Sequence, residues 1–398
     1  MSELLNTKLS IDKSTWIKVK LGDVVTEPRD TVKDFTKERI DHVVGLEHID
    51  AESIHLRRSA NMDNSTTFTK KFKVGDVLFG RRRAYLKKAV QAKFSGICSG
   101  DITVMRVKKD LLPELLPFVI NNEKFFDYAV KHSAGGLSPR VKFKDLANYE
   151  FLLPPKDQQT KLVELLWAID EVVEKEVLVL NELDGLLKST AVKSFDYGYG
   201  SYKRQLPSGW AIMKIKDFSI IQAGATPLRS NNVYFDGGTI PWLKTLDLNN
   251  DNIYETEECI TEIAIQKTSC KVRPKNTVLV AMYGGFNQIG RTGLLKIEAA
   301  TNQAVSSIIV DNSVIKPEYL LYVLNMKVDY WKKVAISSRK DPNITKNDIE
   351  NFPVPIPSLE IQDKLISKIK SLISSNNIIK SKIDSSKALQ KSLINQIF

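Results

Sequence analysis

The chain has 398 residues, is 42% hydrophobic and 26% charged, and carries a formal net charge of +11 at pH 7. The length predicts two or three domains, and the composition is typical of globular proteins. No run approaches the roughly 20 apolar residues of a membrane span, and the first residues lack the apolar core of a signal peptide. We therefore expect a cytoplasmic protein with no membrane partner. The three cysteines lack C-x-x-C spacing, so we expect no metal site.

The positive charge is spread unevenly along the chain. Residues 1–155 hold 27 Lys/Arg against 20 Asp/Glu, and residues 197–357 hold 19 against 15. Between them, residues 156–196 are acidic, with 5 against 9, whereas residues 358–398 are basic, with 7 against 3. Basic domains favour nucleic-acid partners, but charge alone does not establish one.

Residues 1–155 predict a first domain of mixed α and β structure. Short β-like runs at residues 41–46, 75–80 and 102–107 alternate with turn signals. Leucines and other apolar residues at helical spacing predict one helix over residues 111–131.

A long helix is predicted over residues 156–196. It follows Pro154 and Pro155, which suit a helix boundary because proline fixes φ and donates no N–H. Paired glycines end the helix in a linker over residues 197–204. Its apolar side chains form a narrow, near-heptad stripe that needs a partner. The residues assigned to helix and partner contacts are Leu162, Leu166, Ile169, Val173 and Leu180.

The second half repeats this scheme at an offset of 203 residues. Residues 205–357 predict a second mixed domain, with a helix over residues 317–333, and residues 358–398 predict a second long helix. Matched pairs include Pro139 and Pro342, Pro154 and Pro357, and Gln159 and Gln362. The helix and partner contacts assigned to the second stripe are Leu365, Ile369, Leu372, Ile379 and Ile383.

Each long helix spans about 55 Å and cannot bury its apolar stripe alone. We therefore expect the two helices to pack on each other as an antiparallel coiled coil, which fits their opposite net charges. The alternative is that each helix docks on its own domain. The predicted fold class is α+β, with two pseudo-two-fold-related mixed α/β domains separated by the antiparallel helix pair.

Several strings of this chain resemble the specificity subunit of type I restriction–modification systems, over essentially the whole length. Each helix is entered through a Pro-x-x-x-x-Gln motif, beginning at Pro154 and at Pro357. The other strings are residues 75–88 (GDVLFGRRRAYLKK), 224–227 (GATP), 240–244 (IPWLK) and 301–304 (TNQA). One departure is residues 42–49 (HVVGLEHI), which stand where many relatives have an Ile-Pro-Trp-like segment.

This resemblance implies a DNA-reading subunit without catalytic chemistry of its own. Each target-recognition domain would read one half of a split, asymmetric site in double-stranded DNA. The helices would set the spacing and dock two methyltransferase subunits that hold S-adenosylmethionine. Restriction subunits would add ATP- and Mg-dependent translocation and cleavage. No cofactor is expected in this chain.

Two alternatives belong to other function classes. The first is a self-contained DNA methyltransferase or nuclease, although the chain lacks the G-x-G-x-x-G and G-x-x-x-x-G-K-[ST] phosphate loops. The second is a coiled-coil adaptor without a nucleic-acid role. A methyl-transfer assay on the isolated chain and a duplex-binding assay at low salt discriminate these alternatives.

In the first domain, the candidate DNA contacts are Arg81, Arg82, Arg83, Lys87 and Lys88, which follow a predicted strand. Arginine pairs with guanine, and both Lys and Arg neutralise phosphates. Alternation along the strand would place Arg81 and Arg83 on one face and Arg82 on the other. The alternative is a solvated, charged edge that blocks strand aggregation.

In the second domain, the matching loop at residues 283–291 is glycine-rich, which allows close backbone approach. Its candidates are Tyr283, Asn287, Gln288 and Arg291, and the two side-chain amides are of the type that reads adenine. A plain flexible turn is the alternative. Further candidates are Thr226, Arg229, Ser230, Lys244, Arg339 and Lys340.

Overall fold

A computed structural model of the protein describes residues 11–35, 38–62, 66–197, 205–285, 287–335 and 343–398. Internal contacts divide the chain into two compact units: Met1–Val179 with Ile379–Phe398, and Leu180–Ile378. The division falls within the long helices and not at their ends, so each unit holds one mixed α/β domain and a part of each long helix. In the described residues, no helix combines the length and the apolar character needed to cross a membrane.

The first unit contains three small sheets with the strand orders β1-β9, β2-β8-β5-β6 and β3-β7-β4. The strand pairs are antiparallel except for β3 and β7, which run parallel. The strands are β1 (Ile17–Lys20), β2 (Val25–Thr26), β3 (Val43–Val44), β4 (Lys70–Phe72), β5 (Val77–Gly80), β6 (Ala89–Gln91), β7 (Gly96–Cys98), β8 (Ile102–Val107) and β9 (Glu150–Leu153).

The short helices of this unit are α1 (Leu21–Val24), α2 (Leu116–Ile120), α3 (Glu123–Lys131) and α4 (Phe143–Leu146). The single helix predicted over residues 111–131 is wrong, because the chain breaks between α2 and α3. Asn122 causes the break: its side chain accepts a hydrogen bond from the Phe125 N–H and thereby caps a new helix.

The central sheet of the first unit is buried on both faces, which explains the unbroken apolar run of β5. Val77 and Phe79 pack against the helices, in the same core as Phe118. Leu78 faces the opposite way, into the core that is shared with Val44 of the smaller sheet. The domain therefore has three layers: helices, central sheet and small sheet.

The second unit repeats these layers with the strand orders β10-β20, β11-β19-β16-β17-β13 and β14-β12-β18-β15. The pairs β12–β18 and β13–β17 run parallel. The strands are β10 (Ala211–Lys214), β11 (Ser219–Ala223), β12 (Ile240–Leu243), β13 (Asn252–Ile253), β14 (Glu258–Ile260), β15 (Val272–Arg273), β16 (Val278–Ala281), β17 (Thr292–Leu295), β18 (Ala299–Thr301), β19 (Val305–Val310) and β20 (Pro353–Ile356).

The long helices are α5 (Lys156–Phe195) and α10 (Leu359–Ile397), and the short helices of the second unit are α6 (Glu262–Lys267), α7 (Pro317–Asn325), α8 (Val328–Val334) and α9 (Lys346–Glu350). The helix predicted over residues 317–333 is again two helices, broken between α7 and α8. The predicted α+β class, with two mixed domains and two long helices, is confirmed.

Within the first unit, the start of α5 packs antiparallel to the end of α10. The Gln390 amide donates to Asp170 at 3.1 Å, and Lys382 lies 3.4 Å from Glu176. Residue numbers therefore increase along α5 while those of the contacting residues on α10 decrease, which is the order expected of an antiparallel pair. Within the second unit, the Asn376 amide donates to Asp184 at 2.8 Å, so polar side chains join the two helices there as well.

In the first unit, the last turn of α10 is anchored to the mixed α/β domain by lysines. Lys13 Nζ donates to the carbonyl oxygens of Gln396 and Ile397, both at 2.8 Å, and Lys124 Nζ donates to the Phe398 carbonyl at 3.0 Å. Cations at the carbonyl groups of this last turn complement the negative end of the helix dipole.

The second unit also holds the end of α5 through a lysine, here by way of a carboxylate and not of main-chain carbonyls. Lys327, which lies 203 positions after Lys124, pairs with Asp196. Phe195 packs edge-on against Tyr319 in the core of this unit, at a ring distance of 5.3 Å. Each domain thus binds the end of the other repeat's helix, so neither repeat is complete without the other.

Candidate nucleic-acid interface

The three consecutive arginines of the first domain lie just beyond the end of a strand. Strand β5 ends at Gly80, and a short 3-10 helix at residues 84–86 follows the arginines. Arg83 has a φ of 54°, in the left-handed region. The alternation predicted for the three arginines therefore does not extend to Arg83, whose backbone leaves the extended region, although Arg82 still pairs with Arg140 in an antiparallel bridge.

The arginine segment pairs with a second loop, at residues 133–141. The Arg83 N–H donates to the Pro139 carbonyl at 2.8 Å, and the Val141 N–H donates to the Arg81 carbonyl at 3.0 Å. Arg140 lies in this second loop, opposite Arg82. Tertiary structure thus adds a fourth arginine to the cluster predicted from consecutive residues.

Within the segments that the structure describes, one carboxylate faces this arginine cluster. Asp101 accepts hydrogen bonds from Arg140 at 2.7 Å and from Arg82 at 3.3 Å. These bonds, that of Arg140 foremost, hold the pKa of Asp101 below its usual range. In the described part of the chain, Arg81 and Arg83 form no ion pair, so the cluster keeps an excess of positive charge.

The two lysines of the predicted set contact the protein itself. Lys87 lies 3.4 Å from Glu123, and Lys88 donates to the Leu46 carbonyl at 2.7 Å. An exposed ion pair such as that of Lys87 contributes only about 0–1 kcal/mol, so it can be exchanged for a phosphate. Lys88 has a fixed intramolecular role and is the weaker candidate of the two.

In the second domain, the matching loop follows β16 as the arginine segment follows β5. Gly284 and Gly285 both have positive φ values, of 118° and 78°. Gln288 has an internal partner, because its side-chain oxygen accepts from the Thr245 hydroxyl at 3.0 Å. Asn287 is exposed, and its carbonyl accepts from the Nε of Arg291 at 2.9 Å. In the described residues, Arg291 forms no ion pair, and Tyr283 is exposed.

A separate group of cations in this domain is already paired with carboxylates. Lys244 contacts Glu257 at 2.8 Å and Glu258 at 2.6 Å, and the hydrogen bond with Glu257 is the main cause of its raised pKa. Arg229 lies 2.5 Å from Glu258 and covers the ring of Trp242, with its guanidinium carbon 4.7 Å from the ring centroid. DNA phosphates would have to compete with Glu258 for both cations.

Four other predicted contacts complete the account of the second domain. Thr226 and Ser230 are exposed on the segment that carries Arg229. Arg339 and Lys340 lie outside the described residues.

The ten helix residues assigned to partner contacts are all buried or half-buried. Leu162, Leu166 and Ile169 pack into the core of the first domain, and Leu365 and Ile369 into that of the second. These side chains therefore stabilise the chain itself, and the exposed apolar positions of the helices are different ones. They are Leu165, Val172, Leu178, Val179 and Leu389 in the first unit, and Leu186, Val192 and Ile378 in the second.

Sequence reasoning missed Arg140 and its loop, although the repeat contained a signal. At the offset of 203, the candidates Arg339 and Lys340 fall on Gly136 and Leu137, within the loop that the structure places against the arginine cluster. Residues 42–49, which lack the Ile-Pro-Trp-like segment found in the second domain, differ from it in sequence but not in strand pairing. Strand β3 there pairs in parallel with β7, as β12 pairs with β18.

The described residues contain no group of three or more His, Cys, Asp or Glu side chains arranged for a metal ion. The cysteines are free, with Cys98 and Cys270 buried and Cys259 half-buried.

Comparison with solved structures supports the fold. One chain from a structure of a type I restriction–modification system, solved to study complex assembly and conformational transition, aligns with a TM-score of 0.60 at 21% identity and covers 96% of both chains. The type I restriction–modification S subunit of M. genitalium aligns with a TM-score of 0.59 at 13% identity and covers 98% of both chains.

Sequence relatives carry the same description. The MjaIX specificity subunit of Methanocaldococcus jannaschii is 30% identical over 192 residues, which cover 47% of this chain and 42% of that one. The MjaVIII specificity subunit of the same organism is 24% identical over 313 residues and covers 74% and 71% of the two chains. The family described as type I restriction modification DNA specificity domain matches residues 13–183 and again residues 207–386. The chain therefore belongs to this family and carries two copies of its domain.

Proposed function

We propose that this chain is the DNA sequence-specificity subunit of a type I restriction–modification complex, with each domain reading one half of a split target. One observation carries the proposal. After the equivalent strands β5 and β16, each domain presents a loop with at least one arginine that no carboxylate of the described residues neutralises. These arginines are Arg81 and Arg83 in the first domain and Arg291 in the second. Such groups suit both phosphate neutralisation and guanine recognition.

The two half-sites are expected to differ, because the two loops carry different chemistry. The first loop presents Arg81 and Arg83, whereas the second presents Asn287 and Arg291 on a glycine-rich turn. Arginine favours guanine, whereas asparagine favours adenine. The target is therefore proposed to be asymmetric.

The catalytic activities of the complex are proposed to reside in partner subunits. Two methyltransferase subunits holding S-adenosylmethionine would dock on the exposed apolar positions of α5 and α10, because the packing of the chain itself leaves these side chains in water. Restriction subunits would supply ATP- and Mg-dependent translocation and cleavage. This chain itself would bind no cofactor.

The test is footprinting of the chain together with its methyltransferase subunits. Sequencing the genomic DNA of a host that carries the intact system first identifies the methylated adenines and hence the target. On a duplex with that target, we expect two protected segments whose centres lie about one helical turn apart. A single short, continuous footprint would contradict the split-site proposal.

The competing function classes have distinct outcomes. Methyl transfer by the isolated chain would indicate a self-contained methyltransferase, and cleavage without partners would indicate a nuclease. Absence of duplex binding at low salt, with all partner subunits present, would indicate an adaptor.

A further inference from the structure

Leu137 is the most exposed large apolar side chain in the described part of the protein, at 96% of its full accessibility. Single exposed leucines are ordinary on protein surfaces and need no special explanation. Leu137 differs from such residues in its position, because it occupies the tip of the loop that pairs with the arginine segment.

The loop that carries Leu137 is held in one conformation at its base. Ala134 and Arg140 exchange two backbone hydrogen bonds, each of 2.9 Å, and so close the five residues between them. Gly135 has a φ of 116°, which a residue with a Cβ rarely adopts, so glycine allows the tight turn. The tip is therefore presented by a closed loop and does not depend on a long, unsupported segment.

Arginine side chains support the tip directly. The guanidinium group of Arg83 donates to the Leu137 carbonyl at 3.5 Å and to the Ser138 hydroxyl at 3.3 Å. Arg82 also donates to the Ser138 hydroxyl, at 3.2 Å. These contacts leave the Leu137 side chain free while they place positive charge beside its backbone.

The surroundings of Leu137 favour a nucleic acid over other occupants. Four guanidinium groups lie on this segment and its partner loop, and Asp101 is the carboxylate that pairs with two of them. An apolar protein groove would bury these cations at a desolvation cost that nothing offsets. Duplex DNA instead offers anionic phosphates beside apolar base surfaces, which match the cations and the apolar tip of this loop in kind.

The internal repeat independently points to this loop. At the offset of 203, Leu137 corresponds to Lys340, with the flanking Pro139 matching Pro342. The two halves of the chain thus carry different side chains at one position of the sequence repeat. A position that differs between two domains with different half-sites is suited to a role in specificity.

We propose that Leu137 is an apolar base-contacting residue of the first domain, inserted into a groove of the half-site while Arg81 and Arg83 hold the flanking phosphates. The inference rests on the proposed DNA-binding function and adds a specificity-determining contact to it. Two modes share this chemistry: a wedge between stacked bases and a contact with a thymine methyl group.

The test uses the full chain with its methyltransferase subunits and duplexes that carry the methylated target. Leu137→Ala is compared with wild type and with Val74→Ala, a control that is 64% exposed at the opposite end of β5. One duplex series places 2-aminopurine at each adenine of the half-site in turn, which reports unstacking. A second series replaces each thymine by uracil, which removes the methyl group.

Leu137→Ala is expected to weaken target binding by about tenfold, as expected when the buried part of a leucine is truncated. The salt slope should stay unchanged because no charge is removed. One of the two duplex series should also respond. Either the rise in 2-aminopurine fluorescence seen on binding of the wild type is lost in the variant, or the loss of affinity that uracil causes with the wild type is absent from the variant. The thermal unfolding of the variant should match that of wild type, because the side chain is exposed.

Wild-type-like affinity and discrimination in Leu137→Ala, with neither duplex series responding, would overturn this inference and leave the split-site function intact. Failure of the wild-type complex to bind its methylated target above a scrambled duplex would reject the proposed function itself, and this inference with it. The two failures are therefore distinguished by the wild-type measurement alone.

Discussion

Gln159 and Gln362, 203 positions apart, make the same three hydrogen bonds in their respective domains. The Gln159 side chain accepts from the Leu112 N–H at 2.8 Å and donates to the Asp110 and Pro154 carbonyls at 2.7 and 2.9 Å. The Gln362 side chain does the same with the Lys316 N–H, at 2.8 Å, and with two carbonyls, both at 3.0 Å, those of Val314 and Pro357. Each glutamine is buried and fastens the first turn of a long helix to the loop before the short helices.

Replacing either glutamine should therefore destabilise its unit. Gln159→Leu removes three hydrogen bonds and leaves buried backbone groups without partners, which we expect to cost about 2–4 kcal/mol. Urea and thermal unfolding measure the loss, and Gln362→Leu should behave alike. Lys161→Leu, at an exposed position in the next turn, is the control and should change stability little. Equal stability of Gln159→Leu and the control would show that the three hydrogen bonds of Gln159 do not stabilise the unit.

Asp101 should determine both the stability and the charge of the arginine cluster. Because Arg140 and Arg82 lower its folded pKa, its contribution is present above the unfolded pKa of about 4 and is lost as pH falls through the folded value. Asp101→Asn should therefore be less stable than wild type at pH 7, and the difference should narrow in acid.

The same substitution should change DNA binding. Arg82 and Arg140 lose their carboxylate partner in Asp101→Asn and become available to phosphates, so the salt slope should steepen by about one unit. Asp127→Asn makes the same change of net charge at an exposed site in the same domain and serves as the control. Identical slopes for the two variants would place Arg82 and Arg140 away from the DNA.

The cluster itself is tested by Arg83→Ala. Loss of a phosphate contact should lower the salt slope by about 1, whereas loss of a base contact should cost about 1–3 kcal/mol and relax specificity. Arg58→Ala is the control for a general loss of positive charge, because Arg58 pairs with Asp50 in the wild-type protein. If the salt slope and the site preference are both unchanged, the cluster does not contact DNA and is a solvated, charged edge.

In the second domain, Glu258 pairs with two candidate DNA-binding cations, as Asp101 does in the first. It neutralises Arg229 and Lys244 together, and the hydrogen bond from Arg229 is the main cause of its lowered pKa. If these cations contact DNA, as their sequence positions predict, Glu258→Gln should strengthen binding and steepen its salt dependence. Glu262→Gln is the matched control, because it lies exposed in the same domain. Parallel behaviour of the two variants would exclude both cations from the interface.

The helix pair contains a buried charge that its surroundings satisfy poorly. Glu176 is buried on α5, and within the described residues its carboxylate oxygens accept no hydrogen bond, with Lys382 at 3.4 Å forming an ion pair only. Apolar replacements of such groups are often neutral or stabilising. Glu176→Met should raise the unfolding temperature, whereas Glu174→Met should not, because Glu174 pairs with Arg57 at 2.5 Å. A lower unfolding temperature for Glu176→Met would show that the charge is needed.

Much of this architecture is readable from the chain. Apolar runs such as that of β5 predict strands buried on both faces, and the Pro-x-x-x-x-Gln motif marks the start of each long helix. The break at Asn122 was not predicted, because the flanking apolar spacing is continuous through it. A side chain that caps a helix competes locally with continued helix, and only the observed bond from Phe125 shows which conformation wins.

The sequence by itself determined the duplication, the layered domains and the two long helices, because periodicity and proline positions act locally and are repeated 203 residues apart. Only the tertiary structure decided which charges are available for a ligand. Arg140 reaches Asp101 across 39 positions, and Arg229 reaches Glu258 across 29. The energy of an ion pair depends on the distance in space between its two charges, and separation along the chain does not fix that distance. A count of charges in the sequence therefore could not separate the free arginines from the neutralised ones.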